Sequence, residues 1–375
     1  MESRNTQFES SLQAKEYHRI KNFLFVVNLL ISIIALLILV VFGLALFLRA
    51  WLKFFIEDKL ILNAAFFIIF YGGMALFNFP LDFWDGFILE HKFKLSRQNL
   101  PSWFKDYLKK TLIVMIVALI IVEGVYIFIG IFYKSWWIFA ALLWLLITVI
   151  FTKISPFLIL PLFFKSSAVK DSALLDRLMV MAAKFDFKLK DILILELSKK
   201  TIKANSMVTG IGRTKRIYLS DTLVNDFSHD EIEVVVAHEL THDKNKDIYS
   251  HILVSFAVSA FSFYVCDIFL AKSPDLFGYI SKDDIANLPF LSLLIMVAGI
   301  IVLPFQNGFS RFLEKKADEG SIKATGNPKG FISMISKLGH KNLADFSPGK
   351  IVEIFLYDHP PISKRINLAK QFIKE

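Results

Sequence analysis

Six long apolar stretches constrain this chain more than any other feature. They cover residues 23–48, 60–80, 111–133, 136–164, 251–271 and 288–305. A stretch of about 18 or more apolar residues can cross a bilayer as a helix. A helix satisfies its own backbone there, which an open loop cannot. The chain is 55% hydrophobic with a mean hydropathy of +0.53, more than one water-soluble core would hide. Its 39 phenylalanines suit helix faces turned to lipid. The expected fold is mainly α: a polytopic membrane helix bundle with a small α+β unit. Residues 1–22 are polar and the following stretch is too long for a signal h-region, so a retained first helix is expected. Pro156 and Pro161 predict a kink or break in the fourth span, and a re-entrant segment there would raise the count to seven.

The net charge of +9 fits the same picture. Lysine and arginine gather in the N-terminal tail (Lys15, Arg19, Lys21) and in the loop after the second span (Lys92, Lys94, Arg97, Lys105, Lys109, Lys110). The intervening loops are poorer in them. The positive-inside bias therefore places the N-terminus, the 81–110 loop, residues 165–250 and the C-terminus in the cytoplasm. Membrane lipid, not nucleic acid, is the partner this charge implies. The single cysteine, Cys266, excludes an intrachain disulfide and a thiolate metal site. Glu123, inside the third span, predicts a polar interior.

The organisation read from these signals is a membrane region (1–164) with four spans, then a folded segment (165–250). Two more spans (251–305) and a set of C-terminal helices (306–375) follow. Within 165–250, helical spacing covers 171–186, and 192–195 reads as a short strand. Residues 205–209 and 216–219 flank a glycine-containing turn and predict a hairpin. Ser228 and Glu231 have the spacing of a capping box, so a helix should begin there.

That helix carries His238-Glu239-Leu240-Thr241-His242. Histidines four apart share one helix face and can hold one Zn²⁺, while the glutamate beside the first can act as general base on a water. A catalytic zinc usually takes three protein ligands. Glu314, on a predicted helix over 306–325, is the strongest candidate for the third. Asp318 follows one turn later and can hydrogen-bond a ligand histidine. His359 stands before Pro360-Pro361. Its sequence setting fits equally a rigid oxyanion donor and an ordinary turn residue.

Taken together, these motifs resemble the type-1 CAAX prenyl proteases, multi-pass membrane zinc metalloproteases of the gluzincin class. The resemblance rests on Phe79-Pro80-Leu81-Asp82, Glu90-His91-Lys92, Ser198-Lys199-Lys200, the run from Asn205 to Gly212, Lys215 to Leu219 and Asp221-Thr222-Leu223. After the pentapeptide it continues through Asn307, Ser310-Arg311, Glu314, Ala317-Asp318, His359-Pro360-Pro361 and Arg365. It implies a ring of helices around an intramembrane chamber. It also implies one zinc on His238, His242 and Glu314, with Glu239 as base and Asp318 as a second catalytic carboxylate. His359 would meet the substrate carbonyl or oxyanion, and Asn205, Arg311 and Arg365 the substrate. The implied substrate is a peptide or protein, prenylated or membrane-associated. The family usually has glycine and tryptophan around the second histidine, where Thr241 and Asp243 stand here, and Asp247 replaces a further histidine. The long insertion of eukaryotic relatives after Leu223 is missing. That points to a prokaryotic member in a bacterial plasma membrane, whose substrate need not be prenylated. Two other readings are open to the sequence: a quality-control zinc protease of the HtpX type, disfavoured by four spans before the zinc helix, and a non-enzymatic transport protein or pseudoprotease.

Overall fold

The computed structural model describes residues 2–187, 192–210 and 215–374, with side chains from residue 12 onward. Helix α1 (Glu2–Val41) is stopped by Gly43, whose φ of 65° lies in the left-handed region that glycine enters without a Cβ penalty. A short helix α2 (Leu44–Lys53) follows. The first span therefore ends at Val41 and not at residue 48, because an apolar average does not register a single glycine. Helix α3 (Lys59–Phe83) is capped by Asp58, whose side chain accepts from Ile61 N. It contains Pro80 and passes through a π-helical turn (Trp84–Leu89) before ending at Lys92. A π-bulge is one recognised way for a helix to absorb such an interruption. Helix α4 (Leu100–Ile131) is capped by Asn99. In α5 (Trp136–Ile154) the predicted proline kink takes the form of a second π-helical turn (Ser155–Ile159), and the helix runs on to Phe163.

A four-stranded sheet comes next, in the order β1-β2-β4-β3. It comprises β1 (Ser166–Ala168), β2 (Ile192–Leu195), β3 (Ser206–Thr209) and β4 (Arg216–Ser220). β2 and β4 are parallel, and the other neighbours are antiparallel. β3 and β4 are the predicted hairpin strands, with residues 211–214 of its turn outside the described residues. Helix α6 (Ser172–Lys184) covers one face of this unit. A short helix α7 (Asp221–Asp226) leads into α8 (His229–Lys244), which opens with the full capping box: Glu231 N donates to Ser228 Oγ and Ser228 N to the Glu231 carboxylate. Leu178, Met181, Ile217, Val236, Leu240 and Phe331 lie in one buried core joining α6, the sheet, α8 and the C-terminal helices.

Two further long helices complete the membrane part, α9 (Asp247–Leu270) and α10 (Leu288–Thr325). The predicted division at residue 305 falls inside α10, which is one helix of 38 residues. Polarity changes along it while hydrogen bonding continues, so a hydropathy boundary is not a helix boundary. It ends at Gly326, φ 61°. Then come α11 (Pro328–Lys341), α12 (Lys350–Leu356) and α13 (Ile362–Lys374).

Among the described residues, six helical segments are long and apolar enough to cross a membrane. Only 11–17% of each apolar window is buried in the protein, so most of that surface needs lipid or a chamber. The bundle has two distinct ends. At one, Lys203 pairs with Glu90 at 2.8 Å, Lys200 with Asp106 at 2.5 Å, and Arg97 N donates to Lys200 O, tying the sheet unit to the 81–110 segment. At the other, Arg49 meets Asp284 at 3.4 Å, Lys59 pairs with Asp283, and Lys282 donates to Tyr133 O. Between α1, α3, α10 and residues 355–358 lies a cavity of about 710 Å³ whose lining includes Lys21, Asn28, Asp82, Asn307 and Tyr357. Both carboxylate oxygens of Glu123 are shielded from solvent within the bundle.

Candidate metal centre

The capped start of α8 sets the phase of everything after it. His238 and His242 follow about three and four turns after Ser228, and their Nε2 atoms lie 3.1 Å apart. Helix α10 passes alongside and supplies Glu314, with Oε2 3.3 Å from His238 Nε2 and Oε1 3.3 Å from His242 Nε2. The three side chains can each offer one donor atom, all within 4.8 Å of one another, a spacing that suits a single metal ion.

Each histidine is turned by an acid on its other nitrogen. His238 Nδ1 lies 3.0 Å from Asp318 Oδ1, and His242 Nδ1 lies 2.8 Å from Asp247 Oδ2. Such partners fix ring orientation and raise ligand basicity. Asp318 is fully buried and is itself gripped by Arg365, with Nε to Oδ2 at 2.8 Å and Nη2 to Oδ1 at 2.5 Å. Burial opposes a charge on His238, but the Asp318 and Glu314 carboxylates outweigh it and push its pKa up to about 10. The two carboxylates thus favour positive charge on that ring.

Glu239 projects from α8 toward β3. Ser206 Oγ donates to its Oε1 at 3.0 Å and Val208 N to its Oε2 at 3.2 Å. His359 reaches the centre from the turn before α13, with Nε2 3.2 Å from Glu314 Oε1 and Nδ1 2.8 Å from Asp358 Oδ1. Burial lowers the His359 pKa, but Asp358 and Glu314 outweigh it and the net shift is upward. Asn205 meets His238, Glu239, His359 and Arg365 around a cavity of about 160 Å³. Its apolar wall is made of Leu223, Val235, Met334, Ile335 and Leu338.

The two arginines stand differently from the expectation. Arg365 spends its guanidinium on Asp318. Arg311 donates to the carbonyls of Glu353, at 2.8 Å, and Tyr357, at 2.5 Å, and so clasps α12 and the turn that carries His359. Asn307 adds a bond to Phe355 O at 2.6 Å. Two side chains that touch the centre were not singled out from sequence, Ser206 and Asp247. Ser206 lies inside the Asn205–Gly212 run, and Asp247 stands where the resembled family has a histidine. Spacing alone carried no sign that either would face the site.

Comparison with known proteins fits this geometry. Residues 169–373 match the family described as Peptidase family M48. The chain belongs to peptidase family M48. Residues 5–165 match the CAAX prenyl protease N-terminal region, described as five membrane helices. In this M48 member that stretch holds four helices of spanning length and the short α2. A Bacillus subtilis protein named "Uncharacterized metalloprotease YhfN" is 29% identical over 362 residues, 96% of this chain and 85% of that protein. CAAX prenyl protease 1 of Saccharomyces cerevisiae is 27% identical over 333 residues, 80% of this chain and 70% of its own. The crystal structure of S. mikatae Ste24p superposes with a TM-score of 0.84 at 21% identity, covering 96% of this chain and 88% of that one. The fold is therefore that of the M48 membrane proteases, and the chain is a multi-pass membrane metalloprotease acting on peptide bonds.

Proposed function

We propose that the metal is one zinc ion held by His238, His242 and Glu314, and that the chain is a zinc endopeptidase of the CAAX prenyl protease type. The observation that carries this is the donor triangle, with edges of 3.1, 3.3 and 3.3 Å. Tetrahedral zinc with bonds of about 2.0–2.1 Å needs ligand atoms about 3.3 Å apart. Two imidazoles and a carboxylate are also a donor set known for catalytic zinc with a free position. Zinc there would polarise a peptide carbonyl and lower the pKa of a water.

The chain's own residues do the rest. Glu239 takes the proton of the attacking water and returns it to the leaving nitrogen. Ser206 and Val208 N aim its two oxygens. His359 donates a hydrogen bond to the carbonyl oxygen as negative charge gathers there. Asp318 orients His238, and Arg365 balances the buried Asp318 charge. Arg311 positions His359 by holding the backbone before it. An extended peptide lies along the β3 edge near Asn205, with an apolar side chain in the 160 Å³ cavity. The larger cavity beside the centre accommodates a membrane-associated or prenylated segment. The site faces the cytoplasm of a bacterial plasma membrane, a reading supported by the lysine- and arginine-rich end and by the B. subtilis relative.

Two measurements test the assignment. Glu239→Gln is expected to keep stoichiometric zinc and lose about 10²–10⁴-fold in kcat, and a fully active variant would sink it. Matched farnesylated and unmodified peptides should differ in kcat/KM if the cavity binds the lipid. Equal values would remove prenyl recognition.

A further inference from the structure

The zinc donors come from two different helices, α8 and α10, so the distance between those helices sets the site. Six residues past Glu314 on α10 lies Gly320. A Cβ placed on Gly320 would sit 2.4 Å from Thr241 Cγ2, 2.8 Å from its Oγ1 and 3.2 Å from its Cβ. Thr241 is the residue just before His242 and is 5% exposed. Its hydroxyl donates to Ala237 O at 2.7 Å, which fixes its rotamer. Ordinary carbon contacts lie at about 3.5–4.0 Å, so only a hydrogen at position 320 fits beside this threonine.

We propose that Gly320 and Thr241 form a contact that sets the spacing of α8 and α10, and that Gly320 is thereby a positioning residue for the metal centre. The inference rests on the ligand assignment above. The donor triangle leaves little slack, since its edges are only 3.1–3.3 Å. Any side chain at 320 pushes α10 away by about 1 Å to restore normal contact. That moves Glu314 off the two histidines and Asp318 off His238. Rotating Thr241 about χ1 brings no full relief. It replaces one of the two contacting atoms with hydrogen, leaves the other, and breaks the bond to Ala237 O. Removing the threonine side chain clears the space.

The test uses the full-length protein in detergent with four forms: wild type, Gly320→Ala, Thr241→Gly and the double variant. Zinc affinity is read by chelator competition, kcat and KM on a peptide, and the unfolding temperature. Gly320→Ala is expected to weaken zinc at least about 10-fold and lower kcat by up to about 100-fold, with KM little changed. The double variant should recover zinc affinity and kcat to within a few-fold of Thr241→Gly alone. The proposal is overturned if folded Gly320→Ala holds zinc like wild type, or if the double variant is no better than Gly320→Ala. Should Gly320→Ala fail to fold, the double variant must fold and bind zinc for the proposal to stand. Wild type lacking stoichiometric zinc would fail the ligand assignment instead. The contact is then read from unfolding temperatures, where coupling of the two changes supports it and additivity overturns it.

Discussion

At the scale of single residues, the donor triangle is braced by two acids outside it, Asp318 and Asp247. Asp247 holds His242 at 2.8 Å from the first turn of a membrane helix. Asp247→Asn keeps the shape and removes the charge, and is expected to weaken zinc retention about 10–100-fold, measured by chelator competition. Wild-type retention would mean that Asp247 only packs. Arg365 is buried against Asp318. Arg365→Met leaves that carboxylate without its counter-ion, and a loss of about 3–5 kcal/mol is expected in chemical denaturation. An unchanged midpoint would show that His238 alone balances Asp318. His238, Glu239 and His242 were legible in sequence because one helix carries them at fixed spacing. Glu314 and Asp318 were legible because they repeat that logic on another helix. Asp247 and Ser206 were not, since only the folded positions of α9 and β3 turn them to the site. The arginines were legible as motif members but not as clasps, because their partners lie 42 to 47 positions away in sequence.

At the scale of elements, the start of α8 is the hinge between sequence and site. Glu231 accepts from Ser228 N, from Ser333 Oγ at 2.6 Å and from Lys337 Nζ at 2.8 Å. Burial alone would raise its pKa, but these partners hold it below the ordinary carboxylate value. The folded pKa is thus lower than the unfolded value of about 4.3. The stabilisation is complete above that value and is lost as pH falls through the folded pKa. Glu231→Gln should lower the unfolding temperature at pH 7 and shrink its drop between pH 5 and 3. An acid profile matching wild type would remove Glu231 from that role. For α12 the corresponding device is Arg311 of α10. Arg311→Ala frees the carbonyls of Glu353 and Tyr357, and kcat should fall more than KM rises as His359 loses its place. The capping box could be read from four letters of sequence. The break at Gly43 and the unbroken course of α10 could not, since hydropathy follows side chains and both features belong to the backbone.

At the scale of the whole molecule, the orientation proposed above from the charge distribution can be tested directly. Cys266 is the only cysteine and is fully buried, so engineered thiols can be labelled on the native background. With a membrane-impermeant maleimide, Lys272→Cys should react on intact cells, and Lys370→Cys only after permeabilisation. The reverse pattern would invert the orientation. The count of six spans was legible because each needs only length and apolarity. Their ends were less so, because helices continue past the lipid into the protease unit.

The two histidines and Glu314 are separated in the chain by α9 and the apolar first half of α10. On the ligand assignment proposed above, a ribosome that has finished residue 250 has made the pentapeptide but no third donor, and that donor follows only after two more segments of spanning length. On that assignment, cutting power needs both α8 and the far half of α10 in place, so the pentapeptide helix alone is not a hydrolase.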